Sequence, residues 1–131
     1  MRRPSQKILD YINNEERLPA YNKTRELFQQ FELSTKKAPI NIKRGIIARI
    51  EQQLMDIMLW LAFAEDDMQN LQRRLELISS SQDTLREVRL SVRMLKDLGF
   101  IKKPGWSALM LFEDDLAGQL YAWKRDTEKC L

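Results

Sequence analysis

Apolar side chains recur every three or four residues along most of the chain, and no stretch alternates with the two-residue period of a strand. Leu27, Phe28 and Phe31 give an apolar side to a first predicted helix over about residues 20–35. Lys36-Lys37-Ala38-Pro39 closes it, because lysines suit a helix C-terminus and proline blocks continuation. A second helix is predicted from a cap at Asn41 to about Glu65, with Ile46, Ile50 and Leu54 on one stripe. A third spans roughly Asp67 to Leu98, with a break or kink expected at Ser79-Ser80-Ser81. Its Leu71, Leu75, Ile78, Leu85, Val88, Val92 and Leu95 hold a near-heptad register. Gly99 reads as the residue just past its end, and Lys102-Lys103-Pro104-Gly105 as the turn. A fourth helix is predicted from Trp106 to about Glu128, with Leu109, Phe112, Leu116, Leu120 and Trp123 as its stripe. Short connections make the last three helices antiparallel neighbours, so the predicted class is all-α, an up-down four-helix bundle over residues 20–128. Residues 1–19 form an extension, in which Ser5 is the candidate cap of a short helix through Asn14.

The second half of the second helix breaks the one-sided pattern. Residues 54–64 are apolar nearly all round, interrupted by Asp56. A small bundle covers only one side of such a helix, so the rest calls for another subunit. A homo-oligomer is therefore expected, with Met55, Met58, Leu59, Trp60 and Phe63 as its interface. Asp56, placed in that apolar half, calls for a structural ion-pair partner.

Composition narrows the chemistry. The 131 residues suffice for one domain with a real core. Only 4 Gly and 4 Pro are present, which limits the turns and favours long helices. No apolar run approaches the ~20 residues that span a bilayer, so no membrane partner is expected. The start of the chain has no apolar region of the kind that directs secretion, and the lone Cys130 cannot form an internal disulfide. A reducing cytoplasm fits both. There is no histidine, which removes most catalytic and zinc-site hypotheses; no enzyme activity, metal or cofactor is expected. Glu65-Asp66-Asp67 reads as a loop and helix start, and Glu113-Asp114-Asp115 as a solvated face.

Charge then supplies the one candidate function. The net charge is +3, but its distribution says more. Arg86, Arg89, Arg93 and Lys96 recur at helical spacing, about 100° round the third helix from its apolar stripe. Residues 86–103 hold six basic residues against Glu87 and Asp97. Four such cations cover about 15 Å, enough to meet several phosphates. A solvated face paired to neighbouring acids is the alternative reading. Lys43, Arg44 and Arg49 near the start of the second helix, with Arg73 and Arg74 on the third, extend the candidate nucleic-acid surface. For each of these taken singly, plain solubility is the alternative. Trp60, Trp106 and Trp123 fall on or near the apolar stripes and read as packing residues.

Four stretches occur in the order and spacing of one family: "NKTRELFQQF" (22–31), "ARIEQQLMDIMLWLAFA" (48–64), "VRLSVRMLKDLGFI" (88–101) and "DDLAGQLYAWKR" (114–125). They resemble the four-helix-bundle proteins encoded in ribosomal RNA intervening sequences. They also resemble that family's relatives, the accessory variability determinant (Avd) proteins of diversity-generating retroelements. Arg49-Ile50, Leu95 to Leu98, and Ala117, Leu120 and Trp123 carry the likeness; Tyr121-Ala122 stands where the family has Gly-Gly. The resemblance implies a cyclic pentamer with a basic surface. In the retroelement branch it implies a non-catalytic accessory protein that binds a reverse transcriptase, its template RNA and the RNA–cDNA hybrid, and supports mutagenic reverse transcription. Arg89 and Arg93 match the arginines that bind nucleic acid in that branch. The ribosomal intervening-sequence branch implies instead a self-assembling interaction protein with no retroelement role.

Overall fold

The computed structural model describes residues 19–66 and 70–131, and among these every regular element is helical. Four long helices follow one another: α1 (Pro19–Ser34), α2 (Ala48–Asp66), α3 (Leu71–Asp97) and α4 (Lys103–Lys129). A turn of helix (Ile40–Ile42) and a π-helical turn (Lys43–Ile47), kinked at Gly45, lead into α2. The short helix expected from Ser5 lies outside the described residues.

Each helix buries one stripe, as its periodicity requires. α1 contributes Ala20, Leu27 and Phe31, and α2 contributes Ile50, Leu54, Ile57, Leu61 and Ala64. Ile78, Leu85, Val88, Val92 and Leu95 come from α3, and Leu109, Leu116 and Leu120 from α4. α1 packs on α2 and α4, and α3 packs on the same two helices. Polar contacts bridge the seams at the surface. Gln53 donates to Glu87 at 2.8 Å between α2 and α3, and Lys23 reaches Asp115 at 3.7 Å between α1 and α4. The result is an up-down four-helix bundle.

The helix ends depart from the pattern-based expectations in instructive ways. Asn41 does not cap the second helix. Pro39 holds the N-cap position in extended backbone, without a side-chain bond, and its carbonyl accepts from Lys43 N–H at 2.9 Å. The expected start of α3 at Asp67 falls outside the described residues; its cap is Asn70, whose Oδ1 accepts from Arg73 N–H at 3.0 Å. No break occurs at Ser79-Ser80-Ser81. Ser81 is buried and donates its hydroxyl to the Leu77 carbonyl at 2.9 Å, so the serine satisfies itself within a continuous helix. α4 starts three residues earlier than Trp106, with a proline in its first turn, where a missing N–H costs nothing.

The turn after α3 is a Schellman motif. Phe100 N–H bonds the Leu95 carbonyl at 2.9 Å and Gly99 N–H bonds that of Lys96 at 3.0 Å. Gly99 takes φ +86°, which a side chain resists. Gly99→Ala should lower the unfolding free energy by about 1–2 kcal/mol, read from urea denaturation. An unchanged midpoint would show that this turn does not constrain the bundle.

Candidate nucleic-acid interface

The helix-three cations divide into two sets once their neighbours are in place. Arg86 is exposed and bonds Asp83 on its own helix at 2.7 Å. Arg89 leans across the seam to α4, where Nη2 donates to Asp114 Oδ1 at 2.9 Å and Nε lies 3.5 Å from Glu113 Oε2. Arg93 is exposed and forms no ion pair among the described residues. Lys96 is also exposed, with its ammonium 5.2 Å from the centre of the Trp106 ring. The stripe is therefore continuous in sequence but not in charge. Arg86 and Arg89 already face carboxylates, whereas among the described residues Arg93 and Lys96 form no ion pair, Lys96 lying instead over Trp106.

The other predicted cations divide similarly. Arg44 and Arg49 are exposed, Lys43 is half-buried, and none has an ion pair among the described residues. Arg73 is exposed on the first turn of α3, at the far end of the bundle. Arg74 is buried. Its Nε donates to the Ala64 carbonyl at 3.2 Å and its guanidinium lies 5.7 Å from the Trp123 ring centre. It ties the start of α3 to the end of α2 and to α4 and is not a surface cation, which corrects its place in the expected interface. A buried arginine at a helix seam is invisible in a helical-wheel reading, because the wheel does not show which neighbour fills the adjacent space.

The bundle gathers its cations at one end. The connections after α1 and after α3 both lie there, bringing Lys36 and Lys37 towards Lys102 and Lys103. Residues 33–50 and 98–112 together hold seven cations (Lys36, Lys37, Lys43, Arg44, Arg49, Lys102 and Lys103) and no carboxylate. Arg93 and Lys96 approach the same end. From the sequence, Lys36-Lys37 reads as a helix stop, and Lys102-Lys103 as a turn that adds to the positive charge of residues 86–103. Counting acids across both connections would have exposed the asymmetry, but only the up-down topology shows that the two connections are neighbours.

Two acidic readings change. Glu113 is not on a solvated face but wholly buried, and its two oxygens have no hydrogen bond among the described residues. Burial pushes its carboxyl up to about 8; Arg89 opposes that shift and Asp114 adds to it. Neutral Glu113 at pH 7 leaves Asp114 as the carboxylate that balances Arg89. Asp56 has no ion-pair partner among the described residues. It lies on the outer side of α2 and accepts from Gln52 Nε2 at 3.0 Å.

The apolar half of α2 also resolves into two sides. Met55, Leu59 and Phe63 are 44%, 52% and 45% exposed and repeat every four residues, a stripe about 12 Å long. Met58 is half-buried, and Trp60 packs against the core. No helix among the described residues is long and apolar enough to cross a membrane. The chain matches no protein-family model and no curated protein.

Glu113 sets a pH dependence. Its folded value exceeds the ordinary 4.5, so the folded state holds the proton more tightly and stability falls as pH rises from about 4.5 through about 8. Urea midpoints measured from about pH 5 to about pH 9 should decline in the wild type and decline less in Glu113→Gln. Parallel declines in the two proteins would refute the role of the buried carboxyl.

Proposed function

We propose that this protein is a non-catalytic, self-associating accessory protein that binds nucleic acid through the basic end of its bundle. The carrying observation is the gathering of cations at the α1–α2 and α3–α4 connections, continued by Arg93 and Lys96 on α3, where seven connection cations outnumber the bordering Glu32, Glu51 and Asp97. Phosphates are matched by such a surface without sequence readout, so binding is tolerant of sequence and steeply salt-dependent. The resemblance to Avd proteins supports a specific setting: a diversity-generating retroelement, with a reverse transcriptase and its template RNA or RNA–cDNA hybrid as partners, in the cytoplasm. Arg93 keeps its proposed role as a phosphate contact, whereas Arg89 acts first on the bundle, holding α3 to α4.

Co-purification with the candidate reverse transcriptase and template RNA across a salt series tests the setting; no association at low salt would sink it. The surface itself is tested by substitution. Arg93→Ala with Lys96→Ala should leave helicity unchanged and reduce the slope of log affinity against log salt by about 1.4, from about 0.7 per lost single-strand phosphate contact. A slope equal to the wild type's would remove these residues from the interface.

Self-association is proposed through the outer face of α2, where Met55, Leu59 and Phe63 offer a contiguous apolar stripe. A ring of five subunits is the form the family resemblance suggests. Light scattering at micromolar concentration should show an oligomer that Leu59→Arg dissociates. A monomeric wild type would overturn this part of the reading.

A further inference from the structure

The basic end of the bundle is not flat. A groove of about 540 Å³ opens between the last turn of α1 and the first turn of α4. Its lining includes Lys36, Lys37 and Lys102 together with Leu33, Ala38 and Phe100, and it includes no carboxylate. The volume falls within the roughly 300–1,000 Å³ of sites that hold small organic ligands. The lining is also mixed in the way such sites are, with cations at an otherwise largely apolar surface.

Several features make this groove electrostatically unusual. Lysines 36 and 37 follow a helix C-terminus, where cations are favoured. Lys102 is the opposite case: it occupies the N-cap of α4, at the positive end of the helix, with no side-chain cap and no acid in the first turn. Its charge, the α4 amides and the lysines of the first connection therefore add, and no carboxylate lines the groove to offset them, the nearest in sequence being Glu32 and Asp97 at its border. A ligand for this groove must be anionic. Phe100 and Leu33 ask in addition for an apolar or planar part, which a bare inorganic anion lacks. Gly105, which also lines the groove, permits the close seating of α4 on α1, since a Cβ there would lie 2.8 Å from Ser34 Oγ.

We infer that this groove holds one nucleotide of an unpaired strand, its phosphate among Lys36, Lys37 and Lys102 and its base against Phe100 and Leu33. The assignment rests on the nucleic-acid reading above and names the unit that the surface would grip. Cations can meet a phosphate at any point of a strand, but an apolar ring beside them admits a base only where it is unstacked. The groove thus takes unpaired nucleotides, and a paired RNA–cDNA hybrid would meet only the cations around it. An anionic bilayer is the competing occupant, because Ile40 and Leu98 are exposed near the same end. The groove favours the nucleotide, because its cations and apolar side chains line a concavity, whereas a bilayer surface is met by a convex apolar tip.

The test is amide NMR of the full chain titrated with uridine monophosphate, uridine and inorganic phosphate, alongside binding of a long single-stranded RNA. The nucleotide should shift Gly99, Phe100 and Gly105, with a dissociation constant on the order of 1 mM, and more strongly than either fragment. Lys36→Glu with Lys102→Glu, both exposed positions, should weaken it at least about tenfold with an unchanged melting curve. RNA binding without nucleotide shifts would overturn the groove assignment and leave the basic-surface reading intact. Neither RNA nor nucleotide bound at low salt would overturn both. Equal shifts from inorganic phosphate, or capture by phosphatidylserine vesicles without nucleotide shifts, would also overturn it.

Discussion

Short connections are the constraint on which the rest depends. After α3 the chain reverses within residues 98–102, and after α1 it reverses before a turn of helix from Ile40 that runs on into α2, so consecutive helices run antiparallel and pack side by side. Two of the three reversals then fall at the same end. The first carries Lys36, Lys37, Pro39 and Gly45, the second Gly99 and Lys102, and neither contains an acid. The gathering of positive charge is thus a consequence of topology acting on turn chemistry. Residues more than sixty apart in sequence form one electrostatic surface because the bundle leaves them no other place.

The interior shows what that arrangement demands of ionisable groups. Arg89 and Glu113 meet at the α3–α4 seam, but burial outweighs the attraction and keeps the carboxyl largely protonated near neutrality. Asp114, one residue along and exposed, provides the charged partner instead. Arg74 solves a similar problem differently, with a backbone carbonyl as acceptor and a tryptophan ring beside its guanidinium. Both arginines stabilise helix seams, so positive charge in the sequence is not the same as positive charge available to a ligand.

The two proposed surfaces lie apart. The exposed stripe of Met55, Leu59 and Phe63 is on the outer side of α2, whereas the unpaired cations and the groove cap one end of the bundle. On the reading proposed here, assembly through the first would place several copies of the second around a shared axis. Multiple weak phosphate contacts would then act on one strand, since linked sites raise effective concentration without any new contact.

The helical class, the four buried stripes and the Gly99 terminator were legible in the sequence, because helix periodicity and turn chemistry are local and depend on residues within one or two turns. Leu85, Val88, Val92 and Leu95, for example, can share a face only in a helix. The serine triplet misled, because local propensity favours a break where tertiary packing keeps the helix straight. Asn41, Asp56 and Glu113 misled for a related reason: residue type suggests a cap, a buried pair or a solvated face, but the helix's rotation against its neighbours decides the environment. By itself, then, the sequence determined which segments are helices and the apolar stripe each one buries. The tertiary structure decided which arginines are spent on seams, which lysines meet across the end of the bundle, and where a groove opens between them, since charge pairing and concavity exist only between elements.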